Sequence, residues 1–188
     1  MQIEGSLNTS MRSVSAQTPI SETEDLMQER SLEPVARASA VPMLERLQRL
    51  ARGELPPPPI AALLGFTLAS VSPGQATIVF EATDRHANPM GTLHGGVLCD
   101  IADAAMGIAY ASLLAANETF TTLELKVNFL KPVWHARLQA IGKVVRRGRT
   151  IGLVECDVVD EAQTLVARGT STCMTLRGTQ AEGRQVEG

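Results

Sequence analysis

This chain lacks an excess of either charge. Its 188 residues carry 17 Lys and Arg against 20 Asp and Glu, a net charge of −3. That balance gives no electrostatic reason to expect a nucleic acid or an anionic membrane as partner. Cysteine is scarce and unpatterned. Cys99, Cys156 and Cys173 sit apart in apolar segments without ligand spacing; they read as reduced core residues of a cytoplasmic protein, not as a disulfide frame. A catalytic thiol at Cys99 finds no histidine with an obvious claim on it. His86 and His135 have no carboxylate or cysteine at ligand spacing, so no metal is expected. A G-x-S-x-G elbow, a P-loop and a dinucleotide fingerprint are all missing, and no cofactor is expected. The N-terminus shows no apolar signal-peptide core, and Glu4, Glu22, Glu24 and Asp25 argue against a transit peptide. A 44% hydrophobic, 20% charged chain of this length suits one globular domain with some extra length.

What is present centres on Asn88-Pro-Met-Gly-Thr-Leu-His94-Gly95-Gly96, a tight glycine-bearing turn running into an apolar helix from about Gly96 to about Ala115. Val97, Leu98, Ile101, Ala105, Ile108 and Ser112 recur at i, i+3/i+4, and the helix is apolar almost all round, which predicts burial. Asp100 and Asp103 interrupt it and argue against a membrane span. Asp100 lies in the first turns, where the helix dipole favours negative charge. Asp103, between Ala102 and Ala104, is costly in a buried helix unless something requires it. Gly95 and Gly96 offer bare backbone N–H groups at a helix N-terminus, a site for an anion or a developing oxyanion. An electrophile-polarising turn and a carboxylate base suggest acyl transfer to water. Eight residues separate Gly95 from Asp103, roughly 12 Å of helix rise. One subunit does not easily bring both to a single carbonyl, so the spacing predicts an active site shared across a two-fold dimer.

In chain order, residues 1–40 are rich in Ser, Thr, Glu and Arg and read as a disordered extension. Residues 41–59 read as a short amphipathic helix, Met43–Arg52 with Leu44, Leu47 and Leu50 on one side, then a stiff Pro56–Pro59 linker. Residues 60–177 read as the main domain. Strands are predicted at Gly65–Val71, Ala76–Thr83, Thr121–Phe129, Ala136–Arg146, Thr150–Val159 and Leu165–Leu176, and residues 178–188 as a flexible tail. Two strands, one long helix and four strands with hairpin-like links predict an α+β fold, a mostly antiparallel sheet wrapped around one helix. One helix does not cover both faces, so the other is expected to meet another subunit.

Asn88-x2-Gly91-x2-His94-Gly95-Gly96 with Asp103 nine residues beyond the histidine, followed by Leu-Lys-Val-Asn-Phe-Leu-Lys-Pro132, resembles the hotdog-fold acyl-CoA thioesterases related to the phenylacetate-degradation thioesterase. The likeness spans roughly Ile60 to Leu176. It implies a hotdog fold and hydrolysis of an acyl- or aryl-CoA to free acid and CoA. Asn88 and the Gly95 N–H would polarise the carbonyl, and Asp103 from the neighbouring subunit would act as base or nucleophile. His94 would hold the turn and lie near the sulfur. A Ser or Thr early in the next strand would assist the water: Thr122 counting back from Phe129 and Pro132, Thr121 counting forward from Asp103. The resemblance also implies a homodimer with shared active sites, expected to pair further into a homotetramer.

Plainer readings stand beside these. His94 can simply cap the turn, Asn88 before Pro89 is a good turn initiator, and Thr122 suits the polar face of a strand. Arg146, Arg147 and Arg149 suit coenzyme A phosphates or a solvated hairpin tip. Leu98, Met106 and Tyr110 suit an acyl pocket or the core. A non-catalytic acyl-CoA-binding module and a hotdog hydratase or dehydratase are the competing functions; the helix carries no histidine, which counts against the latter.

Overall fold

Residues 42–183 are described by the computed structural model. The readings of residues 1–40 as disordered and of the last residues as a loose tail lie largely outside them. Within the described part, Gly178–Ala181 forms a short 3-10 turn, opened by Gly178 at φ 55°.

Helix α1 (Met43–Ala51) follows the predicted leucine stripe, with Leu47 buried and the helix packed on the first strand. The proline run differs from expectation. Pro59–Leu64 is a second helix, α2, and not the start of a strand. Pro59 occupies its first turn, where the missing N–H would have had no partner. Gly65, left-handed at φ 84°, ends it by donating to the Ala61 carbonyl at 2.8 Å.

Strands β1 (Thr67–Ser72) and β2 (Gln75–Ala82) form the expected hairpin. On β2, Ala76, Ile78, Phe80 and Ala82 are buried while Gln75 and Glu81 are exposed, the two-residue period of a half-buried strand. Helix α3 (Gly95–Ala111) follows. Its end comes earlier than predicted: Ser112 Oγ accepts from Gly74 N–H, donates back to the Ala109 carbonyl, and the next turn tightens to i−3 bonds. Nor is α3 buried all round. Leu98, Ile101, Ala102, Ala105, Met106, Ala109 and Tyr110 face the sheet, whereas Asp100 is exposed and Val97, Asp103, Ala104 and Ile108 are half-buried.

Strands β3 (Glu118–Phe129), β4 (Ala136–Arg147), β5 (Ile151–Val159) and β6 (Leu165–Arg177) complete one antiparallel sheet in the order β1-β2-β4-β5-β6-β3. The links are not all between consecutive strands, as had been expected. β3 crosses to the far edge and pairs with β6. The segment after Phe129 carries Pro132, which has no N–H for a ladder, and no tight-turn residues. Leu130 and Lys131 instead donate to the Val166 carbonyl, and Val133 accepts from Leu93 N–H.

Small residues let α3 lie close on the sheet. A Cβ on Gly142 of β4 would stand 2.4 Å from the Ala105 carbonyl oxygen, and one on Gly152 of β5 would stand 2.3 Å from the Tyr110 ring. Tyr110 is fully buried, its hydroxyl 2.7 Å from Thr175 Oγ1. Leu98, Met106 and Tyr110 therefore belong to the core of this chain, and the acyl-pocket alternative for them is set aside. At the head of β3, Glu118 meets Ala115 N–H, Arg177 and Arg147. The outward face of the sheet exposes Ile141, Val145, Ile151 and Leu153.

Candidate active site

The chain leaves β2 through a 3-10 turn, Asp84–His86, in which Thr83 N–H donates to His86 Nδ1 at 3.2 Å. It then doubles back on itself. His94 N–H donates to the His86 carbonyl, Ala87 pairs with Leu93, and Asn88 N–H donates to the Thr92 carbonyl at 2.7 Å. Gly91, at φ 80°, makes the reversal in a backbone region that side chains rarely enter. The Asn88 amide is oriented by three contacts: Oδ1 accepts from Met90 N–H at 2.9 Å and Thr92 N–H at 3.3 Å, and Nδ2 donates to Thr92 Oγ1 at 2.8 Å. An Asn Nδ2 carries two hydrogens, so one donor remains beyond the turn.

His94 is the N-cap of α3, with Nδ1 accepting from Gly96 N–H at 2.9 Å. The backbone donor requires that nitrogen to be unprotonated, which places the ring hydrogen on Nε2. The capping role weighed for His94 is thus what the geometry displays, and its ring remains exposed. Gly95 N–H donates to nothing among the described residues. Both glycines are closely approached by side chains. A Cβ on Gly96 would lie 2.8 Å from His94 Nδ1, and one on Gly95 would lie 3.0 Å from the Phe129 ring. Phe129, 55% exposed at the end of β3, thus packs beside Gly95; nothing in the sequence beyond its strand position singled it out.

Asp103 is half-buried, and its partner comes from β3: Thr122 Oγ1 donates to Asp103 Oδ1 at 3.1 Å. Of the two threonines left open by counting, Thr122 is therefore the one beside the carboxylate. The strand is bulged immediately afterwards, between Thr122 and Glu124. Thr122 lies opposite Cys173 of β6, a fully buried thiol pushed up in pKa by burial and by the Asp103 charge, with Ser171 and Thr122 hydroxyls opposing. Burial, then the Asp103 charge, also raises the Asp100 carboxyl.

The arginine cluster is divided. Arg146 and Arg149 are exposed at the β4–β5 tip, but Arg147 turns inward to Glu118 and the Leu113 carbonyl. Its guanidinium is already engaged, so the cluster offers two free cations there, not three. Among the described residues no group of three His, Cys, Asp or Glu side chains could hold a metal. No helix among them is long and apolar enough to cross a membrane.

An antiparallel sheet laid on one central helix, with an open donor at that helix's N-terminus and a carboxylate two turns on, belongs to the hotdog class of thioester hydrolases. The chain is a member of the thioesterase superfamily, whose sequence profile matches residues 90–167. A Halobacterium salinarum protein named provisionally as an esterase is 32% identical over 122 residues, 61% of this chain and 79% of that one. The 1,4-dihydroxy-2-naphthoyl-CoA hydrolase of Listeria monocytogenes is 28% identical over 103 residues, 55% of this chain and 84% of the enzyme. Among solved structures, a phenylacetic acid degradation-related protein of Ralstonia eutropha JMP134, provisionally a thioesterase, is 32% identical with a TM-score of 0.62. That likeness covers 68% of this chain and 98% of the other.

Proposed function

We propose that the protein hydrolyses acyl- or aryl-CoA thioesters to free acid and CoA in active sites shared between two copies. The observation that carries this is the placing of the two half-sites. Gly95 lies beside Phe129, at one end of β3, and Asp103 meets Thr122, towards the other end. β3 is an edge strand of the sheet, twelve residues long. An unprotected edge of that length is a template for pairing with another strand. Antiparallel pairing of β3 with its copy would set the Phe129 end of one chain beside the Thr122 end of the other, bringing Gly95 and Asn88 of one subunit towards Asp103 of its partner.

In that arrangement Gly95 N–H and the second Nδ2 hydrogen of Asn88 receive the carbonyl oxygen as it gains charge. Each such donor is worth about 2.7–4 kcal/mol in the transition state. Asp103, held by Thr122, takes a proton from water as the water oxygen bonds to the thioester carbon, or attacks that carbon itself, in which case water afterwards cleaves the acyl–Asp103 anhydride to release the free acid. The C–S bond then breaks and the CoA thiolate leaves. His94 shapes the turn beside the sulfur, and Arg146 and Arg149 meet the CoA phosphates. The exposed aliphatic outer face supports further pairing of dimers into a tetramer. Three unpaired cysteines fit a cytoplasmic site of action.

The test is thiol release from a panel of acyl- and aryl-CoAs. Asp103→Ala is expected to lower kcat about a thousandfold, equivalent to ~4 kcal/mol, with little change in KM. Co-expression of Asp103→Ala with Asn88→Ala should restore activity, because a mixed dimer retains one intact site. Activity in Asp103→Ala close to that of the wild type would sink the mechanism. Failure of the mixed protein to recover would sink the shared site alone.

A further inference from the structure

β3 does not face α3 at even intervals. Phe120 packs on the Tyr110 ring and over Gly107, and Thr122 meets Asp103. Further along, Leu125 and Val127 pack against the core and Phe129 lies beside Gly95. The steps between these residues are two, three, two and two. A strand changes side at every residue, so an unbroken run back from Phe129 would face Thr121 to the helix and turn Thr122 away. The odd step is taken up at the bulge. Thr122 pairs with Cys173 and Glu124 with Thr172, while Leu123 between them has no partner in the register and is exposed. An extra residue of this kind re-aims side chains. Here it turns Thr122 to Asp103.

Ser171 of β6 fastens that bulge from the inner side. It is fully buried, opposite Leu125, and its Oγ donates to the Glu124 carbonyl at 2.9 Å. A buried hydroxyl needs a hydrogen-bond partner, and the one that Ser171 donates to belongs to the bulge. On the outer side Thr172 Oγ1 meets Glu124 Oε2 at 3.3 Å, an exposed and longer contact. Cys173 Sγ lies 3.9 Å from Ser171 Oγ, and its residue stands opposite Thr122. The hydroxyl hydrogens of Ser171 and Thr122 are both committed, one to the bulge and one to the carboxylate.

We infer that Ser171 is a positioning residue of the proposed site: by fixing the β3 bulge it keeps the Thr122 hydroxyl on Asp103. Its catalytic consequence rests on the thioesterase reading above. Ser171 is not assigned a contact with the substrate, and it acts through Thr122. Loss of its hydroxyl frees the Glu124 carbonyl, lets the extra residue shift along the strand and turns Thr122 away from the helix. Asp103 then stays in place without the donor that orients it.

Thiol release and denaturant unfolding should be measured for Ser171→Ala, Thr122→Ala and the double variant, with Thr175→Val as control. Thr175 is a second buried hydroxyl of β6, bonded to Tyr110 at the other end of α3 from Gly95. Its loss weakens the same strand without touching the bulge. Thr122→Ala is expected to lower kcat about thirtyfold, the scale of a hydrogen bond to a charged group. Ser171→Ala should lower kcat about tenfold with KM within about twofold, and add no more than about twofold beside Thr122→Ala. Thr175→Val should lower the unfolding midpoint yet keep kcat within about twofold of the wild type. Ser171→Cys, close in size and a weaker donor, takes the place of Ser171→Ala if the alanine variant does not fold.

A Ser171 variant as active as the wild type overturns the inference. So does a loss that persists in full beside Thr122→Ala, an equal loss in Thr175→Val, or a Thr122→Ala enzyme with unchanged kcat. None of these touches the thioesterase reading, which stands or falls with Asp103→Ala. If Asp103→Ala stays active, or no thioester is cleaved, that reading fails and a crystal structure of the Ser171 variant decides. A Thr122 hydroxyl swung out of hydrogen-bond range of Asp103 supports the inference. A contact kept at 3.1 Å, with the bulge in place, overturns it.

Discussion

The two ends of α3 handle their polar groups in opposite ways. At the C-terminal end nearly everything is matched inside the protein. Tyr110 bonds Thr175, Ser112 bonds both Gly74 and Ala109, and Glu118 collects Ala115 N–H and two arginines. Arg147 Nε is the one buried side-chain polar atom without a partner among the described residues. At the N-terminal end capacity is left over: among the described residues Gly95 N–H is unpartnered, Asn88 keeps a donor, and the His94 ring is exposed. A buried unmatched donor costs about 1–3 kcal/mol, and the C-terminal end avoids that cost. The N-terminal end holds its donors beside solvent, where a substrate oxygen can replace water. One helix thus contributes stability at one end and, in the proposed mechanism, chemistry at the other.

If that division holds, substitutions should separate by end. Gly152→Ala drives a Cβ into the anchored Tyr110 ring and is expected to cost about 3 kcal/mol of stability by overpacking, read as the midpoint of denaturant unfolding. Turnover measured well below melting should stay within twofold. A large loss of kcat at intact fold would break the comparison.

Glu118→Gln is expected to cost about 2 kcal/mol, the usual scale for hydrogen bonds to a charged group. Burial pushes the Glu118 carboxyl up, but Ala115 N–H, Arg177 and Arg147 outweigh it and hold it below its ordinary 4.5. The folded pKa is lowered, so its stabilisation is present above pH 4.5 and is lost as pH falls through the folded value. The variant should therefore flatten the acid limb of the stability profile, and an unchanged limb would count against Glu118 as its source.

His94→Ala should have the smallest effect on stability, about 1 kcal/mol for a lost N-cap, yet lower kcat/KM about tenfold as the glycine turn loosens. Equal losses in stability and activity would blur the distinction between the ends.

Much of this was legible from residue periods. The alternation in β2 and the aliphatic stripe of α1 placed those elements within a residue or two, because burial on one face leaves a direct mark on sequence. α2 was hidden because a proline run reads as a linker until its last member proves to start a helix. The β3–β6 pairing was hidden too, since sequence order suggests neighbours only where a tight turn joins them. Asp103 was conspicuous as a charge in an apolar helix, but its partner was not. Counts from Asp103 and from Phe129 disagree by one because the linker between helix and strand is one residue longer than the resemblance implies, and only side-chain direction separates Thr122 from Thr121. Arg147 illustrates the same limit, because its partner Glu118 lies 29 residues away in sequence.

The close approach of Gly142 to Ala105 has a mechanical consequence. Ala105 lies near the middle of α3, and there the backbone rests on the sheet with no room for a single added methyl group. A rigid rod pinned at its centre can rock but not slide. Asp103, two residues from the fulcrum, lies only about 3 Å along the rod, while Gly95, ten residues away, lies about 15 Å along it. Any tilt of the helix would therefore move the glycine end about five times as far as the carboxylate. If the site is shared as proposed, Asp103 would be the stationary jaw of a clamp whose other jaw, the glycine end of the partner copy's helix, would have the freedom to close.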